Sequence, residues 1–112
     1  MAINLTTDNF TKLVLKSKVL VLVEFYAEWS GSSHILTPML KTIEEMFQDN
    51  VLFCKLNIDQ EKDIAEHYGI TDIPTILIFN NSKVVDCLQG IFPGSVLEHK
   101  LNELIKNENK TL

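Results

Sequence analysis

The sequence predicts an α/β fold: a central mixed β-sheet flanked by helices on both faces. Three observations carry the prediction. Strand-like and helix-like apolar patterns alternate along the chain. The run VLVLVEFYA, residues 19–27, is apolar at nearly every position, as a strand covered on both sides must be. Near the carboxyl end, Asn80-Asn81-Ser82 marks a hairpin turn, which adds antiparallel pairing to a sheet otherwise built from crossovers.

A short strand at residues 3–5 opens the order. A first helix is expected over 7–16, begun by Thr7 and Asp8, with Phe10, Leu13, Val14 and Leu15 at helical spacing. After the central strand, residues 33–47 return to the helical period, with Ile35, Leu36, Met39, Leu40, Ile43, Met46 and Phe47 forming one broad apolar stripe. Pro38 lies inside that stripe and predicts a kink, because the periodicity continues beyond it. A second buried strand is expected at 51–59. A short helix follows at 60–67, ended by Gly69 as a left-handed cap. Residues 75–79 and 84–88 read as the arms of the hairpin. Ser95 and Glu98 have the spacing of a capping box, opening a last helix that buries Val96, Leu97, Leu101, Leu104 and Ile105. The polar tail KNENKTL, 106–112, is expected to fray.

The chain has 112 residues, 46% hydrophobic and 22% charged, which fits one domain spanning 1–112 with its own core. All ten basic residues are lysine, and the net charge is −5. Without arginine forks or a basic surface, nucleic acid is not an expected partner, and an anionic membrane is no better matched. The apolar run at 19–23 is too short to span a bilayer. The opening MAINLTTDNF has neither a basic flank nor an apolar signal core, so a cytoplasmic location is expected, and a monomer. Cys54 and Cys87 each sit in an apolar stretch and read as small buried hydrophobes. His34, His67 and His99 lie on three different predicted helices, so no metal site and no cofactor is expected.

Three segments carry a resemblance. VLVEFYAEWSGSSHILTPML is similar to the central strand and following helix of the thioredoxin family, where the turn reads Trp-Cys-Gly-Pro-Cys. KLNIDQEKDIAEHYGITDIPTILIFNNSKVV resembles the family's stretch through its cis-proline into the terminal hairpin. LQGIFPGSVLEHKL looks like its glycine-marked turn and last helix. The likeness runs in register over nearly the whole chain and implies the thioredoxin fold.

The departure falls on the chemistry. The family's two thiols correspond to Ser30 and Ser33, its intervening proline to Ser32, and the next position to His34. Disulfide exchange needs a thiolate to attack and a second thiol to resolve the mixed disulfide, and serine supplies neither. The rest of the site is kept in the resemblance. Glu24 stands for the buried acid beneath the second thiol, with Lys55 approaching it and Asp59 flanking the nearby surface. Trp29 keeps the exposed indole and Gly31 the turn. Ile73-Pro74 matches the cis-proline, and Gly90-Ile91 the loop closing a groove in which an extended peptide pairs with the backbone at Ile73. Burial is expected to raise the pKa of Glu24, tempered by Lys55 if the two pair.

The leading expectation is a thioredoxin-like protein without the redox dithiol, binding an extended peptide or protein segment at the groove of Trp29, Pro74 and Gly90. An alternative is a disulfide oxidoreductase of cell redox homeostasis whose Cys-Gly-Ser-Cys has been changed to Ser30-Gly-Ser-Ser33. A remote one is a hydrolase using Ser30 or Ser33 with His34 and Glu24, although adjacent residues diverge by about 100° around a helix. As plain structure, Ser30 and Ser33 both read as helix caps.

Overall fold

The computed structural model describes residues 2–110. Five strands form one sheet in the order β1-β3-β2-β4-β5, from Ile3–Asn4 (β1), Leu20–Tyr26 (β2), Val51–Asn57 (β3), Thr75–Asn80 (β4) and Lys83–Gln89 (β5). β1, β3 and β2 run parallel, while β4 and β5 run antiparallel, which gives the mixed sheet read from the sequence. The helices are α1 (Gly31–Phe47), α2 (Lys62–His67) and α3 (Gly94–Lys110).

β2 holds the centre because its residues are buried on both faces. Leu20 and Leu22 face α1 and α3, packing with Leu36, Leu40, Ile43, Leu97 and Leu101. Val21, Val23 and Phe25 face the other way, toward Phe10, Val14 and Ala65. The strand period of two therefore places Glu24 on the α1 side, in line with Leu20 and Leu22. On β3 the same alternation sends Val51 and Phe53 to that side, so Lys55 follows them.

Several boundaries differ from the sequence reading. The first helix is a single wide turn, Thr11–Leu15, closed by the Lys16 amide donating to the Thr11 carbonyl at 2.9 Å. Thr7 does not open it: its amide and hydroxyl both donate to Glu61 Oε1, at 2.7 and 3.0 Å. α1 starts at Gly31 and runs unbroken through Pro38. Its buried stripe is narrower than the periodicity implied, since Ile35 and Met46 are exposed. β3 ends at Asn57, where the Asn57 carboxamide accepts from the Asp59 and Gln60 amides and turns the chain.

At the hairpin, Asn81 and Ser82 have φ of +52° and +69°, the pair of left-handed residues that a two-residue turn needs. β5 is an edge strand, and its side chains are largely exposed. Cys87 is accordingly exposed and not a core residue, whereas Cys54 is buried. α3 begins at Gly94, so Ser95 falls inside the first turn and not at the cap. Val96 is exposed, and residues 106–110 continue the helix. Residues 111–112 of the polar tail lie outside the described part.

Candidate functional site

The carboxyl end of β2, the amino end of β4 and the carboxyl end of β5 meet at one edge of the sheet. Phe25 is paired with Thr75, and Thr75 with Gln89. That register brings three segments to the same end of the molecule: the Trp29 loop, Ile73-Pro74 and Gly90-Ile91. The Ile73-Pro74 bond is cis. The Gly90 amide donates to the Pro74 carbonyl at 2.8 Å, joining two of the segments directly. Gly90 holds φ at +74°, a conformation that a side chain would strain. Spanning the proline, the Thr75 hydroxyl donates to the Asp72 carbonyl and fixes the bend.

Trp29 is 69% exposed, large for an indole. Its Nε1–H donates to Asp59 Oδ2 at 2.8 Å, and Asp59 is held in turn by the Asn57 turn. Beside it, His34 Nε2 lies 2.8 Å from the Glu28 carbonyl oxygen, which requires the proton on Nε2. Gly31 and Ile91 are exposed, Ser32, Ile73 and Gly90 half-buried, and Pro74 buried. Trp29 shares with the proline and Gly90 segments a common end of the sheet.

The two serines have different roles. Ser30 is the N-cap of α1: its Oγ accepts from the Ser33 amide at 3.2 Å. Ser33 is not a cap. It is 3% exposed, and its Oγ has no hydrogen-bond partner. Neither hydroxyl engages His34, whose ring is drawn to the Glu28 carbonyl, so the Ser–His–Glu arrangement does not assemble.

Glu24 is 7% exposed, and its Oε2 has no partner. Burial pushes its carboxyl up to about 7, while the Lys55 ammonium pulls the other way. Glu24 and Lys55 stand opposite one another in the β2–β3 register without closing into an ion pair. The ammonium of Lys55 sits 5.8 Å from the centre of the Tyr26 ring. A cavity of about 420 Å³ runs under α1 and is lined by Glu24, Ser33 and Lys55. Among the described residues, no cluster of three potential ligands could hold a metal ion.

Sequence reasoning missed Tyr26, Asn57 and Thr75. Asn57 was legible as the first residue of an Asn-x-Asp turn, but the apolar run before it extended the strand reading to Asp59. Tyr26 follows from Glu24 by alternation alone. No helix among the described residues is long and apolar enough to cross a membrane.

Comparison with known proteins agrees with this architecture. The family model for thioredoxin matches residues 1–103. The thioredoxin of Chlorobaculum thiosulfatiphilum is 37% identical over 100 residues, covering 89% of this chain and 93% of its own. That of Rickettsia bellii (strain RML369-C) is 37% identical over 112 residues and covers both chains completely. That of Rickettsia felis (strain ATCC VR-1525 / URRWXCal2) is 39% identical over 105 residues, 94% of this chain and all of its own. With the family model covering residues 1–103 and relatives of 37–39% identity aligned over most of their length, the chain belongs to the thioredoxin family.

Proposed function

We propose that this chain is a redox-silent member of its family, acting as a cytoplasmic monomer that binds an extended peptide or protein segment at the edge formed by Trp29, Ile73-Pro74 and Gly90-Ile91. The observation that carries the proposal is the fate of the two serines. Ser30 Oγ is committed to the helix cap, and Ser33 Oγ is buried. Neither atom can form a reversible bond to sulfur, so the chain has no dithiol at the position where exchange would occur. What remains is recognition: an exposed indole held by Asp59, and extended backbone beside a proline and a glycine. Gly31, Ser32 and His34 form the rim of the same edge.

Two measurements test the proposal. In the reduction of insulin disulfides by dithiothreitol, the protein adds nothing to the uncatalysed rate, and the Ser30→Cys/Ser33→Cys variant turns over. Catalysis by the unaltered protein would overturn the proposal. For binding, the single tryptophan reports on its own surroundings. Carbamidomethylated insulin B chain changes the Trp29 fluorescence saturably, and in a label-free assay the Trp29→Ala variant loses the affinity. No saturable change with the unaltered protein would remove the binding reading.

A further inference from the structure

β5 is an outer strand of the sheet, and an outer strand presents amides and carbonyls to which a further strand can add. Which groups face outward follows from the pairing. The Gly90 amide donates to the Pro74 carbonyl, so these two residues form a hydrogen-bonded pair. The register continues through Thr75 with Gln89, Ile76 with Leu88 and Leu77 with Cys87. Bonded and non-bonded pairs alternate along an antiparallel ladder. Gln89 and Cys87 therefore turn their amides and carbonyls away from β4, toward the open edge.

At Cys87 that amide is already engaged. It donates to Asp86 Oδ1 at 2.8 Å. The same carboxylate is pinned from α3 by the Lys100 ammonium, 3.3 Å from Oδ1 and 3.1 Å from Oδ2. One side chain of the strand thus folds over its own edge and is held there by a helix. Just before it, Phe79 is level with Val84 and Ile78 with Asp86, so Val85 has no counterpart and the strand is bulged. Val84 and Val85 are both exposed. The bulge interrupts the edge at Val85, and the clasp of Asp86 and Lys100 covers the stretch beyond it.

The strand this edge fits is the β5 of a second copy. Laid antiparallel about a two-fold axis at Cys87, the two Cys87 residues become a bonded pair, each amide donating to the other carbonyl. An axis at Asp86 instead sets two carboxylates opposite one another, which is destabilising. The pairing at Cys87 requires the very amide that Asp86 occupies.

We propose that the clasp of Asp86 and Lys100 guards the sheet edge: by occupying the Cys87 amide, it keeps β5 from pairing with the β5 of a second copy. The inference does not rest on peptide binding, and either can fail alone.

The test compares the unaltered chain with Asp86→Ala, which removes the acceptor, and Asp86→Asn, which removes the charge but keeps an oxygen in place. Sedimentation velocity over a concentration series, in reducing buffer, measures self-association. The expected result is dimerisation of Asp86→Ala at least about tenfold tighter than that of the other two. A short bis-maleimide then joins Cys87 to Cys87 in Asp86→Ala, and not in the unaltered chain. A folded Asp86→Ala that associates no more than the unaltered chain would overturn the proposal. So would Asp86→Asn associating as tightly as Asp86→Ala, which would assign the effect to charge, or a dimer that the reagent does not join at Cys87. Amide exchange in the unaltered chain decides the matter even if Asp86→Ala does not fold. After correction for sequence, the Cys87 amide exchanges at least about tenfold more slowly than that of Gln89, which also faces the edge. Equal rates would remove the guard.

Discussion

The indole of Trp29 and the carboxylate of Asp59 meet at 2.8 Å, although they leave different strands of the sheet. The contact holds a 69%-exposed aromatic ring in one orientation, which is otherwise costly for a side chain so little packed. Asp59→Ala should leave the fold nearly intact, lowering stability by less than about 1 kcal/mol, because the bond lies at the surface. The same change releases the ring and weakens peptide affinity by about threefold to tenfold, since the ordering must then be supplied on binding. Tryptophan anisotropy and a peptide titration measure the two effects separately.

Glu24 imposes a pH dependence whose sign follows from its raised pKa. Below about 4.5 the carboxyl is neutral in folded and unfolded chains alike, and it costs nothing. Between there and about 7 the unfolded chain ionises first, so stability falls as pH rises. Above about 7 the full penalty applies, on the order of 3 kcal/mol. Urea unfolding at a series of pH values should show this decline, and Glu24→Gln should flatten it. A decline of equal slope in the variant would assign it to other groups.

Removing the hydroxyls of Ser30 and Ser33 should have opposite effects. Ser30→Ala deletes the N-cap of α1 and costs about 0.5–2 kcal/mol. Ser33→Ala removes a buried hydroxyl that has no partner, so the change is neutral or stabilising by up to about 1 kcal/mol. Thermal melts of the two variants, side by side, distinguish the cap from the orphan.

The cysteines should differ in reactivity. Cys87 is exposed on the edge strand and should react quickly with a chromogenic aromatic disulfide. Cys54 is buried, and its thiol is pushed up to about 12 by burial, with Glu44 adding to the effect. It should react only on unfolding. The native protein therefore titrates one thiol and the denatured protein two; two rapid thiols in the native state would contradict the packing described for Cys54.

What could be read in the sequence was mostly what short-range patterns encode. The two-face burial of β2 was visible in its nearly continuous apolar run, the cap at Ser30 in a strand-to-helix turn, and the hairpin in Asn80-Asn81-Ser82. What could not be read depended on position in the sheet. Val84, Val85 and Cys87 look like core residues until β5 is known to be an edge. Ile35 and Met46 share the helical period of α1, but only the width of the sheet decides how much of that face is covered. The strand register brings Lys55 level with Glu24, but level positions alone do not decide whether the two pair. The preference of the ammonium for the Tyr26 ring depends on side-chain placement that no spacing specifies. The cavity under α1 was illegible for the same reason.

β2 has no neighbour close in sequence. Glu24 is level with Lys55 on one side and Ile76 on the other, so the central strand gains its partners only when distant parts of the chain have come together. Such closures cost chain entropy before they return any stabilisation, and they slow folding relative to local contacts. The hairpin of β4 and β5 is a local pairing, whereas the loop carrying Trp29 follows a strand whose two partners, β3 and β4, both lie far along the chain. A chain truncated before Ile73 would therefore lack both β4, a partner strand of β2, and the Ile73-Pro74 segment, two of the parts that the proposed binding edge needs.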